Sequence, residues 1–395
     1  MVGLMTKPEL GDRSLVPQLD AAAYLAHAAI SPLSAPVCER VSEVALGYAE
    51  GGMTGFVRWT PPLQTLREQL ASLIGAQAQD IGFVSNTTHG VIDIAYSLPW
   101  NAGDRVLVFE GEFPANVTPW QRAALEFDLQ LCWLGLDAFH RSKEEGLEAL
   151  RAELQNGLRL VAVSAVQYKT GLRMPLPEMA ALCQEHGAEL FVDAIQSLGV
   201  TPIDVSCGID YLSSGSHKGL MGAEGAGFVY VAPSRVEQLR PRLAGWLSHE
   251  DPAAFLVGDH AQLRYDKPFQ KSARIFEIGT PNVIGLNALC ASVDLLSQLG
   301  VEAIHAHCNR YIDALEAGLQ ERGFRSFRSS ERSSRSTLLS VQAPDGARVS
   351  RLAAGLRKQG VICNTPDGLL RFSPHWPNAV SEVPRVLEAV DGLLR

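Results

Sequence analysis

Residues 189–222, ELFVDAIQSLGVTPIDVSCGIDYLSSGSHKGLMG, carry two short apolar runs, Glu189–Asp193 and Tyr211–Ser213. Runs that are apolar on both faces suit strands buried between two helix layers. The first ends in Asp193, and the second leads through small residues to Ser216-His217-Lys218. Open α/β sheets bind ligands off the carboxyl ends of their strands. Asp193 and Lys218 are therefore expected to share one crevice.

Further strand candidates are Ile81–Ser85, Arg105–Glu110, Gln130–Leu134, Leu158–Ala165 and Gly227–Val231. Helical patterns separate them, among them Leu66–Leu73, Gly90–Leu98, Pro119–Phe127 and Pro177–His186. This alternation predicts an α/β fold, with a mainly parallel seven-stranded sheet between helices. After about residue 265 the rhythm changes. Two long helices (Pro281–Leu299, Glu302–Arg322), a strand Thr337–Val341, a helix Val349–Gln359 and a last helix from Ser381 predict a smaller α+β domain. The expected division is residues 18–265 for the large domain and 266–395 for the small one, with 1–17 packing on the latter. Ser326–Ser336 reads as a polar loop.

Hydrophobic residues make up 46% of the 395 and charged residues 19%, as in a chain with a large core. The net charge of -9 and the lack of a basic stripe argue against nucleic acid and anionic membrane as partners. The start, MVGLMTKPELGDRSLVPQL, lacks the pattern of a signal peptide, and nowhere do 18 apolar residues run together. Seven scattered cysteines without a CxxC pair predict a cytoplasmic protein.

Three stretches carry chemistry. Asp193 can keep a pyridine nitrogen protonated so that the ring accepts electrons; the alternative is a helix cap. Lys218 can form an imine with an aldehyde cofactor; the alternative is a solvent-facing lysine on a glycine-rich loop. Ser85-Asn86-Thr87-Thr88-His89-Gly90 places hydroxyls and free N–H groups at a helix start, which suits an anion; the alternative is a plain N-cap. His305 and His307 stand two apart on a helix and share no face, so no metal site is expected. Glu110 and Glu112 should face opposite ways and make no glycosidase pair.

Taken in order, NTTHG at 86–90, VDAIQ at 192–196 and SHK at 216–218 resemble the class-V aminotransferase superfamily of fold-type-I pyridoxal 5'-phosphate enzymes. Glu112-Phe113-Pro114-Ala115-Asn116, Gln167-Tyr168-Lys169-Thr170-Gly171, Gly245-Trp246, Gly279-Thr280-Pro281-Asn282 and Leu370-Arg371-Phe372-Ser373 extend the likeness over nearly the whole chain. The resemblance implies that Lys218 bears the cofactor as a Schiff base and that Asp193 pairs with the ring nitrogen. It implies that Gln196 bonds the 3'-oxygen, and that Thr87, Thr88, Ser216 and His217 hold the phosphate. Phe113 would stack on the ring, and Thr280 would reach the partner's site in a homodimer. Arg371 would bind the substrate carboxylate, a task its planar fork suits on physical grounds as well. Tyr168, Trp246 and His27 would line the substrate side.

The reaction is open between a lyase, cleaving C–S or C–C, and a transaminase. An epimerase like that of isopenicillin N is an alternative, and a non-catalytic binding protein of this fold is a further one. A persulfide-forming cysteine desulfurase is disfavoured. Those enzymes have a stacking histidine where this chain has Phe113, and a reactive cysteine on a loop where this chain has Cys363 at the end of an apolar run. Phenylalanine transfers no protons, which leaves proton transfer to Lys218 or to water.

Overall fold

The computed structural model describes residues 7–257, 264–344 and 347–394. In chain order the strands are β1 Ala23–Tyr24, β2 Ile81–Val84, β3 Arg105–Phe109, β4 Gln130–Leu134, β5 Leu160–Ser164, β6 Glu189–Asp193, β7 Tyr211–Gly215, β8 Gly227–Val231, β9 Arg325–Ser326, β10 Leu339–Gln342, β11 Val361–Ile362 and β12 Leu370–Phe372. The seven expected strands make one sheet, ordered β2-β8-β7-β6-β5-β3-β4. β8 runs antiparallel to both its neighbours, and the other pairs are parallel. Strands β5 to β8 are buried along their whole length, as their apolar runs require. One apolar layer, including Val161, Val163, Leu190, Val192 and Leu212, lies under the sheet; another, including Val106, Val108, Phe191, Tyr211 and Trp120, covers its other face.

A second, smaller core gathers Leu315, Leu319, Leu339, Leu356, Leu370, Val386 and Val390 around the antiparallel sheet β12-β10-β9. β1 pairs in parallel with β11, so the N-terminal segment near Ala23 is stitched to the C-terminal part of the chain. The helix Val283–Leu299, which the sequence rhythm groups with the small domain, packs on helices Ala35–Gly51 and Pro62–Ile74. We therefore propose a domain division near residue 300, with residues 23–26 belonging to the smaller unit.

Helix Ala35–Gly51 was not anticipated, because its apolar positions make only a narrow stripe: Val37 and Val44 are its fully buried apolar residues. The polar run after Ser326 is a loop apart from the end of β9 and one short turn at Arg332–Ser334. Within it Arg328 is held by Asp313 (2.5 Å) and Glu316 (2.8 Å). No single helix among the described residues is long and apolar enough to cross a membrane.

Candidate active site

The carboxyl ends of β2, β3, β5, β6 and β7 lead to Thr87, Phe113, Tyr168, Asp193 and Lys218, which lie together at one edge of the sheet, and Arg371 of the smaller sheet reaches this crevice by its bond to the Tyr168 carbonyl. Asp193, last residue of β6, is 2% exposed. Burial pushes its carboxyl up to about 6, against the N–H of Ile195 at 3.0 Å and the charge of Lys218. Burial draws the Lys218 ammonium down to about 8; Asp193 opposes this and Arg371 adds to it. The Lys218 Nζ lies 5.7 Å from the Phe113 ring centroid. Phe113 is 49% exposed and meets Tyr168 edge-on at 5.4 Å. An open aromatic face beside a half-buried amine and a buried carboxylate is a platform for a flat ring.

Helix Thr87–Ser97 points its N-terminus at the same crevice. Asn86 caps it, its side chain accepting the His89 N–H at 2.9 Å. Thr87 pins the helix to β7: its Oγ1 accepts the Gly215 N–H at 2.8 Å, and its carbonyl accepts the Ser213 hydroxyl at 3.0 Å. Thr88 is exposed on the first turn, where N–H groups lack helical partners. A Cβ at Gly215 would come 3.3 Å from Thr87 Oγ1 and 3.5 Å from His217 Nδ1, so glycine keeps open the space between them. Burial, and then the neighbouring Lys218, lower the pKa of His217. Ser216 departs from expectation. It is fully buried, and its one O–H donates to the Ala223 carbonyl, which leaves no donor for a phosphate.

Arg371 lies on β12 across the crevice and is 5% exposed. Its Nη1 donates to the Tyr168 carbonyl at 2.5 Å, while its Nε is buried without a partner. No carboxylate of the described residues pairs with it, and burial draws its pKa down to about 10. The Tyr168 hydroxyl reaches Asp367 at 3.4 Å. Gln196 is 6% exposed and gives one N–H to the Ala28 carbonyl at 3.1 Å; its Oε1 is an orphan. His27 lies behind Gln196, sharing a void of about 10 Å³ with it, and bonds Ser31 at 2.9 Å. His27 is 3% exposed.

Two expected residues lie elsewhere on the chain. Trp246 and Thr280 line a cavity of about 380 Å³ with Phe56, Arg67 and Phe83. Thr280 is exposed and also borders Ser85 and His89 in a second cavity of about 220 Å³. His305 and His307 turn to different carbonyls, those of Val200 and Asn378.

Glu112 was weighed in the sequence only as half of a glycosidase pair. It is buried, while Glu110 is exposed, and it accepts Ser164 N–H at 2.6 Å, Gln167 Nε2 at 3.0 Å and the Ser164 hydroxyl. Its position directly before Phe113 was the available signal. Burial pushes its carboxyl up to about 7, against the bonds from Ser164 and Gln167. A carboxyl raised in the fold stabilises it fully below the unfolded pKa, near 4.5, and loses that contribution as pH rises through about 7. Glu112→Gln, which does not titrate, is expected to gain on the wild type by up to about 3 kcal/mol between pH 4.5 and 8. Thermal melts of both proteins across that range check the slope; parallel curves would refute it.

All seven cysteines are unpaired. Cys363 is half-buried just past β11, and burial pushes its thiol up to about 12, the opposite of a nucleophile's tuning.

Strand ends of a seven-stranded α/β sheet that bring a half-buried Lys218 under the charge of a buried Asp193, beside a helix N-terminus, define a fold-type-I enzyme site. The aminotransferase class-V family model matches residues 23–369, and the chain belongs to that family. Membership makes it an enzyme that uses pyridoxal 5'-phosphate. The uncharacterized aminotransferase YcbU of Bacillus subtilis is 27% identical, covering 96% of each chain. A probable cysteine desulfurase of Pyrococcus abyssi is 27% identical, covering 97% of each. Among solved structures, the apo cysteine desulfurase of Thermococcus onnurineus matches with a TM-score of 0.83 at 24% identity, over 98% of this chain and 96% of that one. The cystine C-S lyase C-DES, in complex with its product cysteine persulfide, matches with a TM-score of 0.87 at 20% identity, over 96% and 100%. None of these four is named as an epimerase, so nothing in these likenesses supports that alternative.

The residues present fit the cofactor. Asp193 offers a carboxylate, Gln196 an amide with an N–H and an oxygen unspent, and Phe113 an open face. The helix start at Thr87–Thr88, with Gly215 beside it, makes an anion cradle, and Lys218 supplies an amine of lowered pKa.

Proposed function

We propose that this enzyme acts on an α-amino acid as a lyase, with a transaminase as the nearest alternative, and without passing sulfur through a cysteine of its own. The buried, acid-free Arg371 carries the reading. A guanidinium kept dry without a counterion is costly, and a substrate carboxylate would supply what it lacks. Pyridoxal phosphate, when bound, supplies an electron sink next to the substrate's α-carbon. Lys218 holds the cofactor and then moves a proton at the α-carbon. Asp193 fixes the ring nitrogen, Gln196 contacts the 3'-oxygen, Thr87, Thr88 and His217 face the phosphate, and Phe113 stacks. Tyr168 orients Arg371 through its carbonyl, while His27 and Gln196 wall the site. We further infer a homodimer, in which the exposed Thr280 and its neighbour Trp246 face the partner subunit, and, from the unpaired cysteines, a cytoplasmic setting.

The names of several relatives favour a desulfurase; the state of Cys363 favours a lyase that releases its sulfur or carbon fragment directly. Cystine, cysteine, kynurenine and alanine, each supplied to the holoenzyme with and without a second keto acid as amino acceptor, separate these outcomes: pyruvate with ammonia from cystine or cysteine marks a C–S lyase, alanine with anthranilate from kynurenine a C–C lyase, alanine from cysteine a desulfurase, and turnover that requires the added keto acid a transaminase. Cys363→Ser is expected to leave turnover unchanged, with no persulfide on the wild-type protein by mass spectrometry. A persulfide on Cys363, or loss of turnover in Cys363→Ser, would restore the desulfurase reading. If no amino acid yields any product or changes the holoenzyme's visible spectrum, an amino-acid enzyme is the wrong reading altogether.

A further inference from the structure

Four consecutive carbonyls around Lys218 are each held by a donor from another part of the chain. The His217 carbonyl accepts the Ser31 N–H at 2.8 Å, and the Lys218 carbonyl accepts the Ser31 hydroxyl at 2.7 Å. The Gly219 carbonyl accepts His375 Nε2 at 2.8 Å, and the Leu220 carbonyl accepts the Ser292 hydroxyl at 2.7 Å. One step further, Met221 Sδ accepts the Trp376 indole N–H at 3.1 Å.

These bonds fix the state of two buried histidines. A carbonyl only accepts, so His375 carries its proton on Nε2, and its Nδ1 accepts the Trp376 N–H at 2.7 Å. Ser31 spends its one O–H on the Lys218 carbonyl, so its oxygen accepts from His27 Nδ1–H at 2.9 Å. His375, whose Nδ1 accepts, is thus neutral, and its ring lies 5.2 Å from that of His27. Burial favours the neutral form of both, holding His27 well below the ordinary range and His375 at about 4.

We propose that His375, backed by the His27–Ser31 pair, is a positioning residue that sets the register between Arg371 and the amine of Lys218. His375 lies four residues past Arg371 on one segment, and that segment is itself tied down. The Ser373 N–H donates to the Leu25 carbonyl at 2.8 Å, and its Oγ accepts the Ala28 N–H at 2.9 Å. The grip of His375 on Gly219 therefore joins the strand that bears the carboxylate anchor to the loop that bears the lysine. From the other side Gly199, at φ +85°, packs so closely that a Cβ there would strike the Gly219 carbonyl. The loop following Asp193 and Gln196 is thus registered against the same peptide. A misplacement of about 1 Å between anchor and amine is enough to cost about a hundredfold in rate.

Two substitutions divide the histidine's bonds between them. His375→Gln keeps an N–H in reach of Gly219 and gives up the acceptor for Trp376; His375→Asn keeps that acceptor and falls short of Gly219. The readouts are kcat and KM of the holoenzyme on whichever amino acid the wild type turns over, and the rate at which Lys218 of the apo protein is acylated, followed by mass spectrometry of its peptide. His375→Asn is expected to lose about a hundredfold in kcat and to change the acylation rate severalfold, while His375→Gln stays near the wild type in both. Equal behaviour of the two variants in both readouts, or losses that merely follow melting temperature, overturns the proposal. If His375→Asn does not fold, His27→Asn, which retains an N–H toward Ser31, is set against His27→Leu with the same two outcomes. The kinetic arm rests on Lys218 being the cofactor lysine. Borohydride reduction of the wild-type holoenzyme tests that separately: label elsewhere than Lys218 sinks that reading, while the acylation arm still decides the register.

Discussion

Lys218→Ala is expected to lower kcat by about 10²–10⁴, the scale on which a positioned acid–base group acts, while the protein still binds its cofactor. Two duties are lost together: the covalent anchor and the proton carrier. No neighbour replaces the second. Phe113 has no proton to give, Asp193 is committed to the ring nitrogen in the proposed arrangement, and Arg371 stays charged. The lowered pKa, about 8, makes the second duty feasible. At pH 8 such an amine is neutral in a fraction about two orders of magnitude larger than an ordinary lysine. The sign for activity follows. Once bound substrate has freed it, the amine protonates below about 8, so kcat is expected to fall as pH drops through that value. Steady-state kinetics from pH 6 to 9.5, with borohydride labelling of the wild type to mark the anchored residue, check both. A Lys218→Ala enzyme within tenfold of the wild type would remove Lys218 from the chemistry.

How much of this was readable beforehand follows from which interactions are local. The sheet was legible because β5 to β8 are buried on both faces, and their apolar runs say so residue by residue. Asp193 and Lys218 were legible because each stands where a strand ends. Glu112 and His375 were not. Their importance comes from partners far along the chain: Ser164 and Gln167 for one, Gly219 for the other. Ser216 misled for the same reason, since nothing nearby in sequence announces that its hydroxyl is spent on Ala223. Trp246 and Thr280 sit away from the crevice within one chain; their proposed role requires a second subunit, which one sequence does not display. The boundary near residue 300 that we propose differs from the one the sequence suggests because helix Val283–Leu299 is largely apolar, a pattern that reveals burial but not which core does the burying.

Arg371→Leu is expected to separate catalysis from stability in opposite directions. For catalysis, a substrate carboxylate entering the crevice would lose its charged, forked partner and be left desolvated. Losing one partner of a buried charged pair costs about 2–5 kcal/mol, so kcat/KM should fall by about 10²–10³. Arg371→Lys should recover little of that, because an ammonium offers a point charge in place of the fork. For stability, the free protein has no acid to leave stranded. Arg371 gives up one bond to the Tyr168 carbonyl when replaced, and with it the cost of a buried, unpaired guanidinium whose pKa burial has already drawn down to about 10. Leu370 and Phe372 point to the opposite face of β12, into the smaller core, so leucine at 371 leaves that packing untouched. The variant should therefore melt no lower than the wild type when no substrate is present. That is the pattern of a residue kept for function against the interest of the fold. Kinetics on the turned-over amino acid and thermal melts of the substrate-free proteins give the two numbers. A variant that loses stability and activity together would mean that Arg371 is structural, and the carboxylate site would have to be sought elsewhere.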